Sequence, residues 1–393
     1  MRHSSRSLTV ACLAAAVATV LAAGLAPAVA APLSPAPATR QSADRSAAQA
    51  PRLRVRTLVR GLEHPWDVQQ GQGGRLLVTE RDKARLSVVH KGKRRTVADL
   101  SSQVWVSGET GLMSMAVDRR RRVLWACHGA TTSRGTEVRV TRWRVDREWR
   151  TLSKRRTLIA GLPATSGRHG GCRLMLDRSG PALFIGTGDA AVGTNARDLD
   201  ALGGKVLRVN RDTGAPMADN PFASAGTARR NVWTYGHRNV QGLAQRADGS
   251  IWSVEHGSDR DDEVNILVPG GDYGWNPVPG YDESVPMTDQ SLPGPQQDAA
   301  WSSGVPTVAT SGAAWVSGRQ WGRLDGTLAV AALKASEMLF FRFDADGRLV
   351  SVTQPAALQR FGRLRSVTSA RNGDLLVTTA NGTDDRILRI SPR

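Results

Sequence analysis

Short apolar runs bounded by turn residues recur along the chain, whereas helical periodicity is nearly absent after the first 30 residues. In six of these runs a turn residue, usually Gly or Asp-Gly, leads into a stretch rich in Val, Leu, Ile and Trp. Stretches of this kind, separated by Gly, Asp and Asn turns, predict β-strands. The six copies are Gly73–Val78, Arg122–Ala126, Gly180–Ile185, Asp248–Val254, Asp325–Val330 and Asn372–Val377.

A second β-rich stretch follows most copies after a polar turn or a longer insertion. Successive copies begin roughly 47 to 77 residues apart, which suits about four strands in each repeat of a propeller. A two-sheet sandwich would account for the strands but not for their sixfold recurrence, and a parallel α/β sheet would need helices between them. We therefore predict an all-β fold, a six-bladed β-propeller of four-stranded antiparallel blades, over residues 53–393. The second stretches include Ala84–Val89, Val138–Val145, Lys205–Val209, Met338–Phe343 and Arg386–Ile390.

The ring of blades needs a closing strand, because an open sheet edge would be left otherwise. We expect a strand near Leu53–Val59 to pair with the last blade near Ile387–Ile390. In a propeller, the loops at one mouth of the central channel are held by a rigid scaffold and carry function. Polar residues beside predicted strands in several blades are therefore the candidates for a site.

The N-terminal segment has the features of an export signal. Leu8–Ala30 is an apolar run behind Arg2 and Arg6 that ends in small residues, which predicts a secretory signal peptide over residues 1–30. An uncleaved anchor helix is the alternative. Residues 31–52, rich in Ala, Pro and Ser, are expected to form a flexible tether. No later stretch is apolar over the length of a membrane span, so we expect a secreted, extracytoplasmic protein without stable membrane insertion.

Two cysteines, Cys127 and Cys172, remain after cleavage of such a signal. In an oxidising compartment they would form one disulfide, although two buried free thiols are the alternative.

The chain is strongly basic, with 53 Lys and Arg against 35 Asp and Glu and a net charge of +18. The basic residues are spread along the sequence with small clusters such as Arg119–Arg122. No basic helix or array of stacking aromatic residues accompanies them, which argues against a nucleic-acid partner. Electrostatic association with acidic cell-envelope polymers is one reading of this charge, and an Arg-biased composition is another.

Candidate catalytic groups lie in glycine-rich turns. Glu109 stands between glycines before an apolar run, and His169 stands among the glycines of Ser166–Leu174. A His with an unperturbed pKa of about 6.5 suits a proton acceptor, and Asp189 after the next strand can orient it. For Glu109 the alternative is an exposed acid in a turn, and for His169 it is an ordinary turn histidine.

Cations recur at comparable positions in later blades. Arg238 and Asn239 lie in Trp233–Gly242, which we expect to open the fourth blade, and Lys334 follows a strand in the fifth. Arg363 and Arg365 lie in the sixth. The chain has no Ser-His-Asp order, Cys-x-x-Cys, His-Glu-x-x-His or phosphate loop, so the chemistry is expected to belong to a bound anionic cofactor and a cation.

The segment Glu255–Asn265 places five carboxylates within nine residues of this basic chain. Such acids repel one another unless positive charge offsets them, so the segment is either an exposed acidic loop or the site of a hard cation.

Taken in order, these motifs resemble the soluble sugar dehydrogenases that use pyrroloquinoline quinone (PQQ), of the glucose/sorbosone and aldose sugar dehydrogenase type. The resemblance runs from about Leu58 to Ile390. It is carried by Gly108–Leu112, Arg168–Leu174, Gly186–Asp189, Gly204–Val209, Asp219–Phe222, Trp233–Gly242, Glu255–Asn265 and Gly270–Trp275.

The resemblance implies a six-bladed propeller that oxidises the anomeric hydroxyl of an aldose to a lactone. Hydride passes to calcium-bound PQQ and the electrons pass on to an external acceptor. His169 corresponds to the family's general base and Asp189 to its supporting acid. The positions that correspond to contacts with PQQ or substrate are Glu109, Arg238, Asn239, Thr307, Lys334, Arg363 and Arg365.

Two calcium sites are implied as well. The main-chain carbonyls of Gly257 and Ser258 correspond to ligands of the catalytic calcium. Ser258 stands where relatives often have Pro, a change that a main-chain ligand tolerates. The second, structural site corresponds to Asp262, Glu263, the carbonyls of Tyr273 and Pro279, and Glu283.

Two other functions stay open at this point: a calcium-dependent propeller lactonase or esterase, and a non-catalytic propeller that binds carbohydrate or protein. Lys334, Arg363 and Arg365 argue against the hydrolase, because a lone hydrolytic metal needs carboxylates more than additional cations.

Overall fold

The computed structural model describes residues 51–393. The predicted signal peptide and most of the predicted tether lie outside these residues. The described chain forms six four-stranded antiparallel sheets, which confirms the predicted six-bladed β-propeller. Among these residues, no helix has the length and apolar character needed to cross a bilayer.

The strands follow one another blade by blade, after a leading strand β1 (Leu53–Leu62). Blade one contains β2 (Pro65–Gln70), β3 (Leu76–Glu80), β4 (Arg85–His90) and β5 (Lys93–Asp99). Blade two contains β6 (Leu112–Asp118), β7 (Val123–Thr132), β8 (Gly135–Val145) and β9 (Leu152–Pro163). Blade three contains β10 (Arg173–Leu176), β11 (Ala182–Gly186), β12 (Lys205–Asn210) and β13 (Val232–Tyr235).

Blade four contains β14 (Val240–Gln245), β15 (Ile251–Glu255), β16 (Glu263–Ile266) and β17 (Trp301–Ser302). Blade five contains β18 (Thr310–Trp315), β19 (Leu328–Ala332), β20 (Glu337–Phe343) and β21 (Leu349–Thr353). Blade six contains β22 (Leu364–Ser369), β23 (Leu375–Thr379) and β24 (Asp385–Pro392), together with β1. Short 3₁₀ turns occur at Ala228–Asn231, Arg319–Leu324 and Ala356–Phe361.

The recurring sequence phrase becomes the second strand of every blade: β3, β7, β11, β15, β19 and β23. These strands are buried because neighbouring blades cover both faces of the sheet. A strand buried on both faces has a nearly continuous apolar run instead of an alternating one. The burial explains why this strand gave the clearest repeat.

The closing strand is confirmed. β1 pairs antiparallel with β24, with Val55 opposite Ile390 and Val59 opposite Ile387. Blade six is thus built from both ends of the described chain, and no blade has an unpaired inner strand. One boundary differs from expectation, since Trp233–Tyr235 lies in the outermost strand of blade three. Blade four begins at Val240.

The apolar core is divided among the blade interfaces. Six buried clusters each join two neighbouring blades, for example Trp125 and Val140 of blade two with Leu183 and Val209 of blade three. Each sheet buries its two faces against two neighbours, so the stability of every blade depends on the completeness of the ring.

Cys127 in β7 and Cys172 just before β10 form a disulfide with a Cα–Cα distance of 6.1 Å. The predicted bridge is confirmed. It ties blade two to the loop that contains His169, three residues before Cys172.

We expect the double substitution Cys127→Ala/Cys172→Ala to lower the free energy of unfolding by roughly 2–4 kcal/mol, because the bridge closes a loop in the unfolded chain. Urea denaturation followed by tryptophan fluorescence measures this change. Wild-type protein unfolded with a reductant is the control and should match the variant. Equal denaturation midpoints for the variant and the oxidised wild type would contradict the expectation.

Candidate functional site

The candidate residues gather at one mouth because of the strand directions. In an antiparallel blade, the start of the first strand and the loop between the second and third strands lie at the same end of the sheet. Glu109, His169 and Arg238 precede first strands, whereas Asp189 and Lys334 follow second strands. The topology therefore brings these five residues, predicted from separate motifs, to the same end of the ring.

The loop of His169 is docked against the loop of Glu109. The Gly167 carbonyl accepts a hydrogen bond from the Glu109 N–H at 3.0 Å, and Ser107 Oγ donates to the Ser166 carbonyl at 2.7 Å. Gly167 has a φ of +91°, and a Cβ there would lie 2.0 Å from the Ser107 carbonyl oxygen. Only glycine permits this approach of the two loops.

Asp189 is the most highly connected side chain of the site. Oδ1 lies 2.8 Å from His169 Nδ1 and accepts the Ala191 N–H at 2.8 Å. Oδ2 accepts hydrogen bonds from Trp275 Nε1 at 2.8 Å and from the Tyr281 hydroxyl at 2.7 Å. The side chain of Asp189 is fully buried, and His169 is only 3% exposed. These donors offset the cost of burying a carboxylate.

Neither Trp275, which ends the motif Gly270–Trp275, nor Tyr281 was assigned to the site from the sequence. Both lie between β16 and β17, in a long segment without strand periodicity. The Tyr281 oxygen also lies 2.9 Å from His169 Nδ1. Burial and the charge of Asp189 raise the pKa of Tyr281 far above its usual value, so its hydroxyl keeps its proton.

This arrangement assigns the tautomer of His169. Nδ1 faces a carboxylate and a phenol oxygen that already donates to Asp189, so Nδ1 carries the ring proton. Nε2 then has the free lone pair, and it forms no hydrogen bond with any residue from 51 to 393. The ring can accept a proton at Nε2.

A buried lysine supports the loop of Asp189. Lys205 Nζ donates to the main-chain carbonyls of Asn195, Ala196 and Gly203 at 2.5, 2.9 and 2.7 Å. The Asn195 amide in turn donates to the Asp189 carbonyl at 2.8 Å. Burial lowers the pKa of Lys205 to about 7. Through these three main-chain hydrogen bonds, Lys205 stabilises the loop between β11 and β12 that contains Asp189.

Arg238 is buried at the mouth and is held from several sides. Its main-chain N–H donates to Glu255 Oε2 at 3.0 Å, and its side-chain Nη1 donates to the His256 carbonyl at 3.3 Å. The guanidinium group lies over the ring of Trp275. Nη2 forms an ion pair with Glu283. Its buried Nε has no hydrogen-bond partner within residues 51–393.

Glu283, predicted as a ligand of the structural calcium, bridges two guanidinium groups instead. It pairs with Arg238 and with Arg168, the latter at 2.5 Å. Burial acts in the opposite direction, but the hydrogen bonds from Arg168 and Arg238 lower the pKa of Glu283 below its usual value. The carboxylate is thus ionised at the edge of the mouth.

A hydrogen-bonded chain of side chains crosses the mouth. Asn239 Nδ2 donates to Glu109 Oε2 at 3.2 Å, and its Oδ1 accepts from Gln241 Nε2 at 3.1 Å. Arg365 Nη1 donates to Gln241 Oε1 at 2.9 Å. Burial and the charge of nearby Arg81 lower the pKa of Arg365 to about 9. Glu109, Asn239 and Arg365 are therefore linked through Gln241 into one chain.

Lys334 and Thr307 also meet, since Lys334 Nζ donates to Thr307 Oγ1 at 3.1 Å. Arg363 is different. It is exposed, and its main-chain N–H bonds to Asn381 Oδ1 at 2.9 Å, with no side-chain hydrogen bond to the other candidates.

Gly257 and Ser258, the predicted ligands of the catalytic calcium, have free carbonyl groups. Neither oxygen accepts a hydrogen bond from a described residue. The carboxylate of Asp262 clamps this loop, because it accepts the N–H groups of Gly257 at 2.9 Å and of Val308 and Ala309 at 2.6 Å. Burial raises the pKa of Asp262.

Glu263 has another acid, Glu255, as its cross-strand neighbour, and this neighbour was not predicted from the sequence. Glu263 lies opposite Glu255 in the register of β15 and β16, and both are buried. Asn265 Nδ2 donates to both, at 2.9 Å to Glu255 and 3.1 Å to Glu263. Burial and then the charge of Glu255 raise the pKa of Glu263 well above its usual value. The raised pKa favours the protonated form of Glu263 beside Glu255.

Tyr273 and Pro279, the other two residues predicted at the structural calcium, have different surroundings. Tyr273 stacks on His237 with ring centroids 4.4 Å apart and donates its hydroxyl to the Ile266 carbonyl. Pro279 follows a cis bond in the same insertion as Tyr281. Within residues 51–393, no three His, Cys, Asp or Glu side chains converge to hold a metal ion.

His256 is a further residue of the site that sequence reasoning missed. Its Nε2 is buried without a hydrogen-bond partner among residues 51–393. Burial, with the charges of Arg365 and Arg238, lowers the pKa of His256 to about 3, so its imidazole is neutral.

Comparison with known proteins shows the family of this chain. The glucose/sorbosone dehydrogenase family matches residues 62–389. Aldose sugar dehydrogenase YliI of Escherichia coli (strain K12) is 28% identical over 356 residues, which cover 87% of this chain and 93% of that protein. Quinoprotein glucose dehydrogenase B of Acinetobacter calcoaceticus is 27% identical over 267 residues, 60% of this chain and 54% of that protein.

A solved structure, the PQQ-bound form of aldose sugar dehydrogenase from Streptomyces coelicolor, has the same fold. It aligns with a TM-score of 0.74 at 27% identity and covers 88% of this chain and 100% of that chain. The family match spans nearly all of the described blades, and the motifs that it contains form the mouth described above. The chain belongs to the glucose/sorbosone dehydrogenase family.

Proposed function

We propose that this chain is an exported sugar dehydrogenase that oxidises the anomeric hydroxyl of aldoses to lactones with PQQ and calcium, and that His169 is its general base. The observation that carries the proposal is the imidazole of His169. It is fixed at Nδ1 by Asp189 and Tyr281, and its Nε2 forms no hydrogen bond within residues 51–393. It lies at a mouth that also contains Arg238, Lys334 and Arg365.

The residues present fit an anionic quinone. PQQ bears carboxylates and carbonyl oxygens, which need cationic and N–H donors. Among the described residues, the buried Arg238 Nε has no partner, and the exposed Lys334 ammonium has only Thr307 as its acceptor. These groups, with Arg365 and Asn239, would hold PQQ. Glu109 and Arg363 would contact PQQ or the sugar at its edge.

The residues also fit a catalytic calcium. Calcium prefers oxygen ligands, and the consecutive carbonyls of Gly257 and Ser258 accept no hydrogen bond from the described residues. The structural calcium stays a prediction with weaker support. Glu263 lies opposite a second carboxyl group, that of Glu255, whereas the oxygens of Asp262 and Glu283 bind N–H groups and guanidinium groups.

PQQ when bound supplies the acceptor for the hydride of the anomeric carbon, and calcium supplies positive charge beside it. The protein supplies the base. His169 takes the hydroxyl proton at Nε2, and the charge of Asp189 at Nδ1 stabilises the imidazolium that results. Tyr281 donates to Asp189 and so keeps the carboxylate oriented toward the ring.

Export and an external electron acceptor belong to the same proposal. The Cys127–Cys172 disulfide supports an oxidising compartment, because such bridges are rare in the cytosol. The mouth is open to solvent at the exposed side chains of Lys334 and Arg363, so an acceptor can approach the cofactor from outside.

The hydrolase and binding-module alternatives are separated from the proposal by one titration. Apoprotein is mixed with PQQ and calcium, binding is followed by calorimetry, and dye reduction is measured with a panel of aldoses. We expect tight PQQ binding and sugar-dependent reduction that both require calcium. Lactone hydrolysis without PQQ would favour the hydrolase, and the absence of both activities and of PQQ binding would favour a binding module.

His169→Ala is expected to lower kcat by roughly 10²–10⁴-fold, the usual contribution of a general base, while PQQ affinity changes little. Steady-state dye reduction and PQQ calorimetry measure the two effects. His90→Ala is the matched control and should keep wild-type turnover, because His90 ends β4 at the face of the ring opposite to the mouth. A loss of only twofold would remove His169 from the mechanism.

Tyr281→Phe is expected to lower kcat roughly tenfold, because Asp189 loses one buried hydrogen bond and His169 is oriented less firmly. The pH dependence of kcat should change as well, since the phenol also contacts the ring at Nδ1. Tyr235→Phe, whose hydroxyl forms no side-chain hydrogen bond in the described part of the chain, is the control. Unchanged kcat and an unchanged pH profile would show that Tyr281 only fills space.

A further inference from the structure

The outermost strands of three consecutive blades form a strongly basic surface. β1 of blade six, β5 of blade one and β9 of blade two are the exposed edges of their sheets. Together they carry nine exposed Lys and Arg side chains, which we call the basic rim. These are Arg54, Arg56, Arg60, Lys93, Arg94, Arg95, Lys154, Arg155 and Arg156.

The other three blades have no such edge. The outermost strands β13, β17 and β21 contain no Lys or Arg. The fold therefore brings nine basic residues from three separate parts of the sequence to one side of the ring.

The charge of the rim is largely uncompensated. Asp99 is the one acidic residue within the three strands. Arg94 lies 3.6 Å from Glu80, and Arg156 donates to main-chain carbonyls. The remaining seven form no salt bridge with an acid among residues 51–393.

Protection of sheet edges explains part of this pattern. Charged side chains on an exposed edge prevent pairing with another chain, and these three edges are long. Such protection needs charge but not charge of one sign, because Asp and Glu would repel a second copy equally well. Nine cations of the same sign on three edges therefore point to an anionic partner.

The shape of the rim decides which anionic partner fits. Successive blades of a six-bladed ring are rotated by about 60°, so three edges curve around the circumference. A flat bilayer would contact only part of this curve, whereas a flexible linear polymer can follow it. None of the three strands contains an aromatic residue on which nucleic-acid bases could stack.

We propose that the basic rim binds a linear acidic polysaccharide that bears a carboxylate on successive sugars. Arg guanidinium groups match carboxylates in bidentate geometry. Side chains two residues apart on a strand, such as Arg54 and Arg56, are about 6.6–6.8 Å apart and offer a regular row of cations. The rim lies on the outer edges of the blades and leaves the mouth free, so the proposal does not depend on the proposed dehydrogenase activity.

The test compares two charge-reversal variants with the same net charge. The rim variant is Arg56→Glu/Arg95→Glu/Arg155→Glu, with one change on each edge. The control variant is Arg178→Glu/Arg230→Glu/Arg348→Glu, at exposed positions of blades three and five. Reversal keeps every edge charged, so protection against edge pairing is retained. Size-exclusion chromatography and thermal unfolding verify that both variants keep the elution volume of the wild type and stay folded.

Binding to polygalacturonate is measured by calorimetry at low and moderate salt, with pullulan as the neutral polymer. We expect the rim variant to bind roughly tenfold or more weakly, and the control variant to lose less than about threefold, since local ion pairs dominate such binding. Equal losses in both variants would show that only net charge matters and would overturn the proposal. Tight binding of anionic vesicles that exceeds polymer binding and needs the rim would assign the surface to a membrane instead.

A footprint on the wild-type protein tests the proposal without substitutions. Acetylation of Lys93 and Lys154 should slow when polygalacturonate is present. Lys83 and Lys334, in loops at the mouth, should react at an unchanged rate. Protection of all four lysines, or of none, would contradict binding at the rim.

Discussion

The side chain of Asp189 accepts hydrogen bonds from four donors while it is closed off from solvent. A buried carboxylate is costly unless its oxygens are satisfied, so its donors and its position depend on one another. Those donors come from different parts of the chain: the loop before β10, the loop after β11 and the insertion before β17. The geometry around His169 is therefore a property of the assembled ring and not of any single motif.

Around this centre the mouth balances opposite charges at short range. Glu283 forms an ion pair with Arg238, and Glu109 accepts a hydrogen bond from the neutral Asn239. Arg365 and Lys334 donate to the neutral side chains of Gln241 and Thr307. Two imidazoles complete the set, and within residues 51–393 neither His169 Nε2 nor His256 Nε2 has a hydrogen-bond partner. A site with this mixture can neutralise an anionic ligand and still offer a proton acceptor beside it.

Much of the fold was predictable because each blade repeats a local pattern. The second strands are buried on both faces, so their apolar runs are visible in the sequence, and edge closure follows from the need to pair β1. His169 and Asp189 were predictable as polar residues in glycine-rich turns beside strands. Tyr281 was not, because its segment has no periodicity and its contact with Asp189 depends on how blades three and four meet. The pairing of Glu263 with Glu255 required the strand register, which a list of charges does not contain.

The closure of blade six has a consequence for how the protein folds. β1 and β24 come from opposite ends of the described chain, so β1 has no partner until the last strand has been synthesised. Its contacts are the most distant in sequence, and distant contacts form slowly because a long loop must close first. Until that step, blade one and blade five each lack the neighbour that covers one of their apolar faces. The pairing of β1 with β24 therefore closes the ring. A chain without either strand would still contain all the motifs of the site, but its ring would stay open.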